Sequence, residues 1–429
     1  MPASTTGVII VSQGQWFAEI AGVPLLQRML LSGHKAGVRR WIVCVPHGGQ
    51  MVHSSLATAP KLRHLTWQVY DATDTAAETL REALPHEDVL VVTMPVVFDH
   101  RLLLALQDAP APTLGVTTAL AATPADLVVH EGYVVANAAH GAPAYRSTGI
   151  LRCAGSLLSQ LLPEGLAAAA PHTLLLTRLM AQSRVHALDV SQRLWCVISE
   201  PLAASVSTAE GQLLRSLGRD GDSSVMRTFD RRLSQALTQR LMRTAITPNQ
   251  ITVLSASIGL VGALLLAQPS PVWPILGSLL FLLSTILDGC DGELARLTFQ
   301  ESEFGAKLDL IMDNVVHLFL FPCLALGLYR REYDTLYFIL GGLTFGGILV
   351  SMAVYLPYLL QRQKMPHALV RVHEHLASRD FAYLLPVLAL FDKLHWFLWA
   401  ATLGSYTFAV AWCIVTSRAR RQPPDAARQ

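Results

Sequence analysis

Hydrophobic residues follow two different rhythms along this chain. Up to about residue 200, short apolar runs at 8–11, 41–45 and 89–92 alternate with helical stretches such as 25–36 and 75–83. Runs of this length read as buried strands, and their alternation with helices predicts a mostly parallel sheet covered by helices. Beyond residue 245 the pattern changes to long, nearly continuous apolar segments. Against the roughly 20 residues that a bilayer requires, candidate spans fall at about 250–268, 273–292, 307–329, 334–357, 380–394 and 395–416. Between the two regimes, residues 225–245 place Phe229, Leu233, Leu237 and Leu241 at four-residue intervals with arginines between them. Such a helix lies in the membrane interface with its apolar side in the acyl chains, although the same pattern serves an amphipathic helix on a soluble domain. The expected architecture is an N-terminal α/β, Rossmann-like domain over 1–205 and a linker with an interfacial helix over 206–245. An all-α polytopic membrane domain with six transmembrane helices follows over 246–417, then a disordered cytoplasmic tail over 418–429.

Composition agrees with a protein half in the bilayer. With 52% hydrophobic and only 15% charged residues, the chain is too apolar for an ordinary soluble enzyme of two domains. Its net charge of +2 hides three basic clusters at the span boundaries. Arg227, Arg231, Arg232, Arg240 and Arg243 precede the first span, Arg362, Lys364 and Arg371 follow the fourth, and Arg418, Arg420 and Arg421 close the last. The positive-inside rule puts these flanks, and both termini, in the cytoplasm of a bacterial-type cell membrane. Arg330 and Arg331 then lie on the far side, partly offset by Glu332 and Asp334. The clusters point to anionic lipid, and no nucleic-acid-binding patch is evident. The six cysteines, at 44, 153, 196, 290, 323 and 413, have no metal or disulfide spacing and read as reduced filler. Met1 to Gly7 lacks a basic stretch and an extended apolar core, so no cleavable leader is expected.

Four aspartates give the second half its chemistry: Asp288-x2-Asp291-Gly292-x2-Ala295-Arg296-x8-Gly305-x3-Asp309-x3-Asp313. Ionisable groups at membrane depth are costly and mark functional sites. Residues three or four apart share a helix face, so Asp288 with Asp291, and Asp309 with Asp313, converge if the two helices pack as a hairpin. Carboxylates crowded into a poorly solvated pocket stay ionised only when cations neutralise them. Hard oxygen donors suit two Mg2+ or Mn2+ ions, a recurring arrangement in phosphoryl chemistry. Gly292 and Ala295 remove bulk, and Arg296 offers a fork to phosphate oxygens. A carboxylate-lined pathway for divalent cations is the non-enzymatic alternative, but gives no role to the Gly, Ala and Arg at fixed offsets.

This run resembles the signature of the CDP-alcohol phosphotransferase (phosphatidyltransferase) family. The resemblance implies that Asp288, Asp291, Asp309 and Asp313 bind two metal ions, with Asp313 also the general base. It further implies that Asn249, Asp288, Asp291, Gly292, Arg296 and Ser302 contact the CDP moiety. Pro248-Asn249-x2-Thr252 is similar to an element that precedes the family's first span, while Thr247 and Pro248 also suffice to start a helix. The chain departs from many relatives after the last aspartate, where Asn314 replaces an Arg and puts acceptor-phosphate binding in doubt. His317, one turn beyond Asp313, either orients that carboxylate, touches the acceptor, or is a satisfied buried imidazole.

The first domain resembles a nucleotidyltransferase fold through Ala21-Gly22-Val23-Pro24-Leu25 and Ser147-Thr148-Gly149-Ile150. Fusion of the two domains is similar to the bifunctional enzymes that make CDP-inositol and then di-inositol phosphate. The triphosphate loop is nevertheless reduced to Ser12-Gln13-Gly14-Gln15, without a basic residue. Pro95 stands where a metal-binding Asp is expected, and Trp195-Cys196-Val197-Ile198-Ser199-Glu200-Pro201 lacks the second acidic ligand at the corresponding place. Asp71, Asp74 and Asp99 are the candidate substitutes. A degenerate domain that binds a product, a partner or the transferase mouth is expected.

Together these readings predict transfer of a substituted phosphoryl group from a CDP-alcohol, with CDP-diacylglycerol the first choice of donor, to an acceptor hydroxyl. A bifunctional enzyme using a soluble donor such as CDP-inositol is the alternative. Lys307, Arg362 and Arg379 are candidate acceptor contacts, and Gly341, Gly342, Gly346 and Gly347 would permit close helix packing within one copy or in a homodimer.

Overall fold

In this computed structural model, which describes residues 5–11, 14–71, 77–118, 127–135, 144–166, 170–217, 225–360 and 381–421, the chain divides into two compact units, Met1–Arg219 and Asp220–Gln429. The strands of the first unit are β1 (Thr6–Ile10), β2 (Glu19–Ile20), β3 (Val23–Pro24), β4 (Arg40–Val45), β5 (Thr66–Asp71), β6 (Asp88–Val92), β7 (Val96–Phe98), β8 (Thr113–Thr118), β9 (Leu127–His130), β10 (Tyr133–Val135), β11 (Ala144–Ala154), β12 (His186–Asp189) and β13 (Trp195–Val197). Its helices are α1 (Leu25–Lys35), α2 (Gly49–Ala57), α3 (Ala77–Ala83), α4 (His100–Asp108), α5 (Gly155–Leu166), α6 (Pro171–Gln182) and α7 (Leu202–Ser216).

Nine strands form the main sheet, in the order β5-β4-β1-β6-β11-β8-β12-β10-β9. The first four run parallel, as the alternation of strands and helices predicts. β11 then inserts antiparallel between β6 and β8, so the sheet is mixed rather than mostly parallel. Apolar runs carry no record of strand direction, which depends on how the chain returns to the sheet. On one face, Leu80, Leu158, Leu162, Leu176 and Leu179 from the covering helices meet Val8, Ile42, Val91, Leu114 and Val116. Each such leucine contributes about 1.5–3 kcal/mol by leaving water. α1 and α4 pack together and bury Leu25, Leu26, Met29, Leu30, Leu102, Leu103 and Leu106.

The Gly-x-Pro-Leu element forms the tight β2–β3 turn, with Ala21 (φ 49°) and Gly22 (φ 68°) both left-handed. Two buried charges pin it. Arg28 Nη2 donates to Ile20 O (2.8 Å), and the Ala21 N–H donates to Glu210 Oε1 (3.0 Å). Burial pushes the Arg28 guanidinium down to about 10, against the opposing influence of the Glu210 charge. Burial likewise pushes the Cys44 and Cys153 thiols up to about 12, which keeps them unreactive.

The second unit comprises α8 (Val225–Leu241), α9 (Pro248–Leu266), α10 (Val272–Thr298), α11 (Glu303–Glu332), α12 (Leu336–Leu360), α13 (Phe381–Leu390) and α14 (Leu394–Arg421). Thr247 caps α9 with a full capping box, exchanging hydrogen bonds with Gln250, and Pro248 occupies the first helical position. α9 and α10 cross at a pair of glycines: a Cβ on Gly277 would lie 2.6 Å from Gly262 O. Their outer faces leave Leu254, Val261, Leu264, Leu276, Leu279 and Leu283 exposed, a surface that hydrocarbon solvates and water does not.

Four helices among the described residues, Pro248–Leu266, Val272–Thr298, Glu303–Glu332 and Leu336–Ala353, are long and apolar enough to cross a membrane. Six spans are therefore more than this criterion supports. α13 has 10 residues, with Pro386 inside it, and rises only about 15 Å, half a hydrocarbon core. The two arginines at the far end of α11 find specific partners. Arg330 Nη1 donates to Ala267 O at the end of α9 (3.1 Å), and Arg331 pairs with Asp392 between α13 and α14 (2.7 Å).

Candidate active site

α10 and α11 both pack chiefly on α9, rather than on each other as a simple hairpin would, and a narrow cleft opens between them. Gly259 makes this possible, since a Cβ there would lie 2.7 Å from Ser284 Oγ on α10 and 2.8 Å from Val316 Cγ1 on α11. Asp288, Asp313, Ser284, His317 and Phe381 line the cleft. Carboxylate oxygens of Asp288, Asp309 and Asp313 lie within 4.8 Å of one another, with Asp288 buried. Oxygens around one Mg2+ stand roughly 3–4 Å apart when bonds are about 2.1 Å. The three side chains therefore fit a hard divalent ion after a small inward movement.

Asp291 stands one turn beyond Asp288, outside that cluster. Its Oδ2 accepts a hydrogen bond from Thr252 Oγ1 on α9, and both side chains are buried. That gives a role to the Thr of the Pro-Asn-x-x-Thr element which the sequence reading left without one. Arg296 lies over Gly292, its Nη1 3.6 Å from where a Cβ would stand.

Asn249 and Ser302 meet at the start of α11. Ser302 Oγ accepts from the Gly305 N–H (2.9 Å) as the N-cap, and a Cβ on Gly305 would lie 2.9 Å from Asn249 Oδ1. The glycine at 305 thus has a steric basis. Ser302→Ala is expected to lower stability by about 1 kcal/mol, read as a fall in Tm in detergent, whereas Ser302→Thr keeps the cap and restores it.

His317 Nδ1 donates to the Asp313 backbone carbonyl (2.7 Å), not to its carboxylate, and the ring packs against Phe281 and Phe381. In a neutral ring with that tautomer, Nε2 is the acceptor nitrogen. Asn314 turns back to donate to Leu310 O (2.6 Å). Lys307 is exposed, while Arg362 and Arg379 fall outside the described residues.

Sequence reasoning missed the support behind this site. Glu293, between Asp291 and Arg296, is buried and accepts from Ser234 Oγ (2.9 Å) and Thr238 Oγ1 (2.8 Å) of α8. Cys290 Sγ also donates to Ser234 O (3.5 Å). On α8 the buried stripe is the hydroxyl pair, and Leu233 is exposed. Side chains of 225–231, which include Phe229, are outside the described residues.

In the first unit, two of the three candidate substitutes for the missing acidic ligands already have partners. Asp71 Oδ2 accepts from the Gly49 N–H at the start of α2 (2.6 Å), and Asp99 pairs with His100 (2.5 Å); Asp74 is outside the described residues. Gly14–Phe17 forms a short 3-10 turn that buries Trp16. Thr93 is bonded to Gly149 O (3.0 Å) and His172 Nδ1 (2.7 Å).

Residues 245–417 match the CDP-alcohol phosphatidyltransferase family. The second unit thus carries a CDP-alcohol phosphotransferase domain, and the aspartate cluster lies within it. Two curated relatives bear the name "Bifunctional IPC transferase and DIPP synthase". The one from Aquifex aeolicus (strain VF5) is 31% identical over 179 residues, 42% of this chain and 40% of that protein. The one from Thermococcus kodakarensis is 33% identical over 142 residues, 33% of this chain and 31% of that protein. The matches span less than half the length of either relative. Among solved structures, "inositol-1-phosphate CTP transferase from T. maritima" aligns with 48% of this chain and 97% of its own, at 15% identity and a TM-score of 0.36.

Proposed function

We propose that the protein is a membrane-embedded transferase that moves a substituted phosphoryl group from a CDP-alcohol to an acceptor hydroxyl and releases CMP. The observation that carries this reading is the convergence of Asp288, Asp309 and Asp313 from two helices of the transferase domain. These three carboxylates, with Asp291 one turn away, would hold Mg2+ or Mn2+. When bound, the metal offsets the charge of the pyrophosphate and of its leaving CMP. Arg296, beside the small Gly292, meets phosphate oxygens. Asn249 and Ser302 border the nucleotide at the mouth of α9 and α11. Asp313 takes the proton of the attacking hydroxyl. The mouth and both flanks of the bundle face the cytoplasm, on the distribution of arginines.

The relatives' names favour a soluble CDP-alcohol of the CDP-inositol type over CDP-diacylglycerol as donor. They also favour a second reading, in which the first unit makes that donor from CTP. Pro95, Val197 and the segment that buries Trp16 oppose it, because no acidic pair or basic loop stands at those places. Full-length protein reconstituted in lipid with Mg2+ should release CMP from CDP-inositol and a pool of alcohols, and EDTA should stop it. Release from CDP-diacylglycerol alone would restore the phosphatidyl donor. Pyrophosphate formed from CTP would establish the bifunctional enzyme. Divalent-cation flux into vesicles without CMP would overturn the transferase reading.

A further inference from the structure

We propose that a basic corner of the first unit, built from His34, Lys35, Arg39, Arg40, Arg63 and His64, docks on the anionic phospholipid headgroups of the bilayer. Charge is unevenly spread along this unit: between residues 5 and 70 stand six Lys and Arg side chains and one carboxylate, Glu19. Glu19 lies on β2 opposite Pro24, just before α1, so the 11 residues of α1, about 16 Å, separate it from the corner. The corner forms where the end of α1 meets the 3-10 turn Pro60–Leu62. His34 and His64 meet edge to face there, with ring centroids 5.0 Å apart, which ties the two segments together. His34, Lys35, Arg39, Arg63 and His64 are all exposed. Arg40 opens β4 beside them and donates to the neutral Gln68 Oε1 (2.9 Å).

Among the described residues, no carboxylate pairs with Arg39, Arg40 or Arg63. The local field shows this excess of positive charge. His34 is held below the ordinary imidazole range, first by its partial burial and then by repulsion from His64 and Arg39. The dipole of α1 accounts for a cation at Lys35, in its last turn, whereas Arg39 and Arg63 stand beyond that helix. A surface of this kind attracts a polyanion. A lipid surface is the polyanion that the chain keeps beside it, because four helices of the second unit are long and apolar enough to cross a membrane. Eight residues, 217–224, join α7 to α8, and a chain of that length spans at most about 30 Å. Tethering raises the effective concentration of headgroups at the corner, and each Lys or Arg near them strengthens the contact about fivefold. The inference depends on the membrane reading of the second unit and not on its transferase chemistry.

The test uses full-length protein in nanodiscs of phosphatidylcholine, alone or with about one-third phosphatidylglycerol. Co-elution with the discs is scored first, and protein recovered outside both kinds would remove the membrane reading and this proposal with it. Backbone hydrogen exchange over 33–40 and 60–66 is then compared between the two discs. It should slow at least about threefold with phosphatidylglycerol and recover in 1 M salt, where the Debye length is about 3 Å. β9 and β10, at the opposite edge of the sheet, should exchange equally in both. Arg39→Gln/Arg63→Gln should weaken the contact about 25-fold and lose the slowing at unchanged Tm, whereas Arg39→Lys/Arg63→Lys should keep it. Equal exchange in the two discs, or slowing that persists in the Gln variant, would overturn the proposal. Slowing produced by RNA added to phosphatidylcholine discs, with none from phosphatidylglycerol, would overturn it in favour of a nucleic-acid surface.

Discussion

Replacing Asp313 with Asn should leave CDP binding measurable and slow CMP release by about 10²–10⁴-fold, or roughly 2.7–5.5 kcal/mol of barrier. The substitution keeps the size of the side chain and removes its charge and basicity. Asp313 lies in the same cluster as Asp288 and Asp309, so two explanations of a slow variant must be separated. If the residue only ligates metal, a tenfold rise in Mg2+ or a change to Mn2+ restores the rate. If it takes the proton of the acceptor, saturating metal leaves the rate low while CDP affinity returns. Asp288→Asn and Asp309→Asn serve as the comparison, since their defect should appear chiefly as a raised metal requirement. An Asp313→Asn enzyme that turns over at the parent rate would refute the base assignment.

The contrast between what was and was not legible follows from the range of the interactions. Thr247-Pro248 announces α9 because a cap acts over three residues, and the aspartate spacing announces its site because helical faces repeat every three or four. The antiparallel entry of β11 is different: its neighbours β6 and β8 are fixed by chain return, which local hydrophobicity does not encode. Partners distant in sequence were equally hidden. Thr252 and Asp291 are 39 residues apart, and Arg331 meets Asp392 where charge balance had pointed to Glu332 and Asp334. The α8 pattern carried a readable clue that hydrophobic periodicity passes over. Ser234 and Thr238 are one turn apart, a polar stripe suited to a buried carboxylate, and Glu293 sits in the apolar half of the chain with that need. For the expected fifth span length decides: α13 has the composition of a membrane helix and half the reach.

Glu293→Ala is expected to loosen α8 from α10 and to cost about 2–4 kcal/mol, from two hydrogen bonds to a charged acceptor offset by relief of its desolvation. Both hydroxyl partners are buried, at 4% and 0% exposure, so water does not readily replace the lost acceptor. Glu293 lies two residues after Asp291 and three before Arg296, and loosening that turn should raise the Mg2+ concentration at half-maximal CMP release. Glu293→Gln keeps one acceptor and should fall between the parent and the Ala variant on both measures. The reverse edit gives the sharper comparison. Ser234→Ala/Thr238→Val keeps the carboxylate but takes away two donors, and a buried charge that loses donors is costly. The double variant should therefore unfold at a lower temperature than the parent. Equal Tm and equal Mg2+ dependence in all four proteins would show that α8 is held to the transferase core by other contacts, and that the carboxylate beside the metal helix positions nothing.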